Sequence, residues 1–138
     1  MKTMKNFLMA VAVIACTAMC LFSCTSKDQL KITVEVIAAQ CPMECGDGTC
    51  MTDVLLENGD VVFVCEMDEE RFDIEGCKDP IIQASIKTGF METFIYSEDA
   101  NVEEFLKVVK DSEADIICRY VGNVSGDGFD IVIDNSEL

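Results

Sequence analysis

The tetrapeptide Glu57-Asn58-Gly59-Asp60, set between the apolar runs Met51 to Leu56 and Val61 to Met67, restricts this chain more than any other stretch. Asn-Gly is the natural pair best suited to a two-residue type I′ turn, because both central residues must take a positive φ. With Asn58-Gly59 as the turn, Leu56 is expected opposite Val61, Val54 opposite Phe63, Thr52 opposite Cys65 and Cys50 opposite Met67. That register puts all of these on one apolar side and makes Cys50 and Cys65 diagonal neighbours, close but poorly aimed for a bridge. The other side mixes Leu55 and Val62 with Asp53, Glu57, Asp60 and Glu66, and reads as half solvated.

The rest of the chain supplies partners for that hairpin. Ile116 to Val121 and Phe129 to Ile133 are β-rich runs around a Gly-rich turn, Gly122 to Gly128, which predicts a second hairpin. Asp79-Pro80 has helix-start chemistry, and Ile82, Ile86, Phe90 and Phe94 recur every fourth residue after it, so a helix is expected from Pro80 to about Tyr96, weakened by Gly89. Asn101 and Glu104 form a capping-box variant ahead of Val102, Phe105, Leu106 and Val109, one face of a further helix. Leu30 to Gln40 fits either a strand or a helix by periodicity. The order decides for helix, since an apolar stretch precedes each hairpin and the pattern is that of an α-β-β unit used twice. The fold expected is α+β, with two α-β-β units forming a four-stranded antiparallel sheet and helices packed on one face.

Upstream, Lys2 and Lys5 precede the uncharged run Phe7 to Phe22, which has the basic and apolar regions of a secretory signal and is short for a membrane-spanning helix. Leu21-Phe22-Ser23-Cys24 then resembles the lipobox of a bacterial lipoprotein precursor, with bulky Phe22 a departure from the usual second position. The resemblance implies cleavage before Cys24, a diacylglyceryl thioether on its sulfur and an acylated amino group, palmitate being a usual chain. The bland alternative is plain secretion with Cys24 as a thiol. Domain boundaries follow: 1–23 signal peptide, 24–29 lipidated Cys24 and polar tether, 30–138 a single domain. Ser26-Lys27-Asp28 loosely resembles the export tags of Bacteroidota surface lipoproteins, and Thr25 departs from an inner-membrane retention signal, which points to the outer membrane. Cys41-Pro42-Met43, Val61-Val62-Phe63 and Arg119-Tyr120-Val121-Gly122 resemble small Bacteroidota lipoproteins, a likeness that implies no known chemistry.

Charge excludes some partners. The formal charge is −16, and loss of Lys2 and Lys5 with the signal brings it near −18. Such a surface repels nucleic acid and anionic headgroups, so no nucleic acid is expected as a partner; the membrane is reached through the lipid on Cys24. The chain has no His, hence no imidazole base or ligand.

Three sets of residues invite chemistry. Cys41, Cys45 and Cys50 could hold zinc or exchange disulfides, but Cys-x3-Cys-x4-Cys is not a thioredoxin spacing and a fourth ligand is not evident. With Cys65, Cys77 and Cys118 they make an even set that an oxidising envelope would pair into disulfides, or that could stay as small buried thiols. Asn123, Ser125, Asp127 and Asp134 loosely fit a calcium-loop template whose flanking helices are missing. Asp68, Glu69, Glu70, Asp73 and Glu75 read as a solvated acidic connector rather than as paired acid-base groups. No catalytic residue or cofactor is assigned. The function expected is a non-catalytic domain on a lipid anchor at the cell envelope that binds another protein or a small ligand through the exposed sheet face or the acidic loops, with a thiol- or metal-dependent activity at Cys41, Cys45 and Cys50 as the alternative.

Overall fold

A computed structural model describes residues 25–45 and 48–138. Helix α1, Ser26–Ala38, opens the domain, followed by a two-residue strand β1, Met43–Glu44, and the hairpin β2, Thr49–Glu57, and β3, Asp60–Met67. A short helix α2, Ile74–Cys77, leads into α3, Pro80–Phe90, which continues as a π-helical turn, Met91–Ile95. Helix α4, Ala100–Asp111, then precedes the hairpin β4, Ile116–Gly122, and β5, Gly128–Ile133. The strands lie side by side in chain order in one five-stranded sheet.

The α+β class and the helix-hairpin order match expectation, and two features correct it. The sheet has five strands rather than four, because Met43–Glu44 pairs with the start of β2. The two hairpins also meet in parallel, β3 beside β4, rather than antiparallel. The cause is the long connection between them: α2, α3, the π-turn and α4 carry the chain back across the sheet to the end where β3 began, as a parallel pairing requires.

Asn58 and Gly59 take φ of 55° and 86°, so the turn is the one the sequence calls for. Val61, Phe63 and Val54 point to the helices as expected. Beyond Asp53 the register shifts at a bulge around Thr52: Met51 faces Cys65 and Cys50 faces Glu66. One extra residue on β2 turns every later side chain over. Met51 and Thr49 therefore occupy the buried positions expected for Thr52 and Cys50, and Cys50 lies on the open face.

Side chains from α1, α4 and the π-turn close the core over the other face. Leu30, Val34 and Ile37 of α1 and Val102, Phe105, Leu106 and Val109 of α4 are buried, and α4 begins at Asp99, whose carboxylate accepts from the Asn101 and Val102 amides, two residues ahead of the cap expected at Asn101. Phe63, Phe94 and Phe105 meet at ring separations of 6.0–6.4 Å, an edge-rich aromatic centre. Helix α1 takes in Ser26–Gln29, residues expected to form a tether, because Thr25 caps it by accepting from the Asp28 amide at 3.2 Å. Among the described residues no helix is long and apolar enough to cross a membrane.

Candidate functional site

Helix α3 starts as the sequence predicts, with the Asp79 carboxylate accepting from the Ile81 amide at 2.8 Å and Pro80 in the first turn. Its apolar stripe then does something the periodicity does not show. Phe94 is fully buried, Phe90 and Ile86 are half-buried, Ile82 is 43% exposed and Ile81 is 75% exposed. None of α3's own residues is buried. The helix is seated at its π-turn end and lifts off the sheet toward Pro80.

A cleft of about 430 Å³ opens beneath it. Its floor is the sheet, with Thr49 and Met51 from β2, Phe63 and Cys65 from β3, and Cys118 and Tyr120 from β4. Its wall is the underside of the helix, with Ile86, Gly89, Phe90 and Phe94, and Cys45 stands at one edge. Gly89 leaves the wall open, since a Cβ there would meet nothing within 4 Å. The π-turn, closed by the Tyr96 amide on the Met91 carbonyl at 2.9 Å, makes the aromatic end of the wall; such turns recur at functional sites. Tyr120 stacks on Phe129 at 5.2 Å and stiffens the far side of the floor. An apolar, half-open cleft of this kind has the shape and chemistry to accommodate apolar side chains, and its lining holds no paired acid and base.

Cys41, Cys45 and Cys50 come together around β1 but on different faces: Cys45 faces the cleft, while Cys50 sits opposite Glu44 and beside Glu66. Burial, then Asp53 and the two neighbouring thiols, pushes Cys41 up to about 11; burial and Glu44 raise Cys50 too. Burial drives Cys118 up to about 12. These three thiols stay protonated at neutral pH, the reverse of an activated nucleophilic cysteine. The six described cysteines stand as thiols, not bridged to one another, and the bulge at Thr52 puts Cys50 and Cys65 on opposite faces of the sheet. Among the described residues no group of three or more Cys, Asp or Glu is arranged to hold a metal ion.

The remaining sequence candidates serve the scaffold. Asn123, Ser125 and Asp127 lie on the β4–β5 loop, whereas Asp134 lies beyond the other end of β5, where it caps a final 3-10 turn, Asn135–Glu137. The loop wraps a carboxylate: Glu69 accepts from the Val124 amide at 2.6 Å, the Ser125 amide at 2.7 Å and the Ser125 hydroxyl at 2.7 Å. These bonds hold Glu69 below the usual carboxylate range. A Cβ at Gly122 would come within 2.6 Å of the Glu69 carboxyl carbon, so a larger residue there would displace Glu69 from this clasp. Asp127 and Glu75 share Lys78 at 2.7 and 2.8 Å, and Asp68 pairs with Arg71 at 3.6 Å. The acidic connector is thus tied to the loop it faces. Sequence reasoning finds the α3 stripe but misses the cleft, because periodicity reports which side of a helix is apolar and not how far it lifts from the sheet.

The sequence matches no family model and none of the curated proteins. Its fold resembles solved structures. One is described as a secreted protein of Pseudomonas aeruginosa, 8% identical, with a TM-score of 0.58 over 83% of this chain and 97% of that one. Another is the pilotin of the Vibrio vulnificus type 2 secretion system, 19% identical, with a TM-score of 0.54 over 81% of this chain and 94% of that one. At these identities the likeness is one of fold.

Proposed function

We propose that this chain is a lipid-anchored protein of the outer membrane, tethered through Cys24, whose domain works as a non-catalytic docking module for another envelope protein. The occupant of the cleft under α3 is an apolar segment with Lys or Arg at its flanks. The observation that carries this reading is the cleft itself: apolar on both walls, half-open, and set in a domain of strongly negative charge. Charge of one sign around an apolar groove steers in a segment of the opposite sign, while the burial supplies the affinity. The fold shared with a pilotin supports placing that partner in secretion machinery. The protonated thiols of Cys41 and Cys50 argue against thiol exchange as the activity of the Cys41, Cys45 and Cys50 group.

The test is in-cell photo-crosslinking, with the reactive residue placed at Ser85, an exposed residue lining the cleft, or at Val132 on the opposite face of the sheet. The expected result is a discrete adduct with one envelope protein from position 85 only, abolished by Gly89→Leu, which fills the cleft. Equal adducts from both faces, or an adduct indifferent to Gly89→Leu, would overturn the reading.

A further inference from the structure

Resting on the anchor at Cys24 proposed above, we infer that the domain is held against zwitterionic lipid headgroups in one orientation, with the Asn58-Gly59 turn and the end of α4 at the membrane and the cleft turned away from it. The geometry of α1 carries this. Thr25 is already the cap of the helix, with its hydroxyl bonded to the Asp28 carboxylate at 2.8 Å and its carbonyl accepting from the Gln29 amide at 3.0 Å. Leu30, one turn further on, is 2% exposed and sits in the core. Extended, six residues would give a tether of roughly 20 Å; with the helix starting at once, Thr25 stands only roughly 7.5 Å along the helix axis from that core contact. Only Thr25 separates the lipid from a rigid body.

The first turn of α1 defines one end of the molecule. Lys27 and Leu30 share a hollow with Leu56, Asn58, Gly59 and Glu113, so the first hairpin turn and the end of α4 lie beside it. The Gly122 to Gly128 loop lies at the other end, where the Asn123 amide bonds to the carbonyl of Met67, the last residue of β3. Between them β3 runs about 23 Å from Asp60 to Met67. The cleft floor runs from Phe63 and Cys118 at mid-sheet to Cys65, Thr49 and Tyr120 in the loop half. The membrane-side end carries Asp28, Asp60, Asp111 and Glu113 against Lys27, Lys107 and Lys110, with Lys107 paired to Asp111. It has nothing to insert into hydrocarbon, and on a chain of formal charge −16 its contact is with neutral rather than anionic headgroups, enforced by the acyl chains.

The chain has no Trp, so single reporters can be introduced. Asp111→Trp and Val124→Trp change exposed residues at opposite ends of the domain. Each full-length variant is processed in cells, its mass read for acylation, and the protein reconstituted in phosphatidylcholine vesicles carrying a nitroxide on the headgroup. The expected result is roughly twofold or more extra quenching for Asp111→Trp, the reporters standing toward opposite ends of a sheet whose strand β3 is about 23 Å long. Inserting about eight Gly/Ser residues between Cys24 and Thr25, a spacer spanning roughly 15 Å, is expected to equalise the two. Equal quenching of acylated, spacer-free protein would overturn the orientation and leave the anchor standing. A mass showing no acyl group would overturn both.

Discussion

Arg119 and Glu57 are joined across an intervening strand: from β4 the guanidinium reaches β2, donating to the two Glu57 oxygens at 2.8 and 3.1 Å. Its Nε and second terminal nitrogen also grip Asp130, its direct partner on β5, at 3.0 and 3.1 Å. To make both contacts the side chain crosses β3 on the face without helices, where Val62 stands between Leu55 and Ile117 in one cross-strand row. Val62 is 0% exposed. The arginine thus works as a strap that ties three strands and roofs an apolar residue with its stem. The hydrogen bonds lower the titration of Glu57 and raise that of Arg119.

A lysine cannot replace that fork, since its single ammonium cannot serve two carboxylates on strands on either side of β3 at once. Arg119→Lys is expected to lower the melting temperature by a few degrees, and Arg119→Ala by more because it also uncovers Val62. Calorimetry in low and high salt checks this. The lysine deficit should narrow as salt screens the pairs, and a lysine variant as stable as the parent at low salt would refute the strap.

The clasp on Glu69 makes a pH prediction. Its carboxylate titrates below the ordinary value of 4.5 because the folded loop donates to the charged form. A depressed folded value means stability that is present above about pH 4.5 and is lost as the pH falls through the folded value. Glu69→Gln lacks that contribution at every pH. Melting curves of the two proteins are expected to be separated at pH 6 to 7 and to converge in acid, and a gap that is constant down to pH 3 would count against the clasp.

What the sequence revealed and what it hid divide along physical lines. Features set by a few adjacent residues were legible: the Asn58-Gly59 turn, the Asp79-Pro80 helix start, the buried face of α4. Leu30 to Gln40 was decided by the repeated order of elements and not by its β-branched composition, which points the wrong way; packing of Leu30, Val34 and Ile37 on the sheet overrides propensity there. The bulge at Thr52 left no local mark, since Cys, Met and Thr all tolerate either face, yet it decides which cysteine is buried. The parallel junction of β3 and β4 depends on where a long helical connection returns the chain, which no residue pattern records. The acidic cluster reads from sequence as a solvated connector and the Gly-rich loop as a loose calcium-loop fit, and their mutual tie is hidden because the partners, Lys78 for Asp127 and the loop amides for Glu69, are distant in the chain.

The thiols give a prediction that chemistry alone can check. Cys118 is 2% exposed and pushed up to about 12, and Cys41 up to about 11. Since thiolate is the reacting form, raising the pH from 7 to 8.5 leaves both protonated. In the native protein a disulfide reagent at pH 8 is expected to leave Cys41 and Cys118 unmodified, identified by peptide mass. Unfolding without reductant should then release all six thiols of the domain. Recovery of fewer than six, or early labelling of Cys118, would show that the cysteines are paired or that this part of the core opens.

Gly89 offers a variant that separates folding from binding. It sits inside α3, where a glycine costs a helix about 0.5–1 kcal/mol relative to alanine, and the cleft leaves its Cβ position empty. Nothing in the packing of the domain by itself explains why it should be kept open. Gly89→Ala is therefore expected to raise stability by about 0.5–1 kcal/mol in urea unfolding, with an unchanged slope against denaturant. Gly89→Leu should fold as well and add apolar contacts with Phe90 and the sheet floor. A loss of stability in Gly89→Ala would mean that the helix already rests on the sheet at this point and that the cleft is closed in solution.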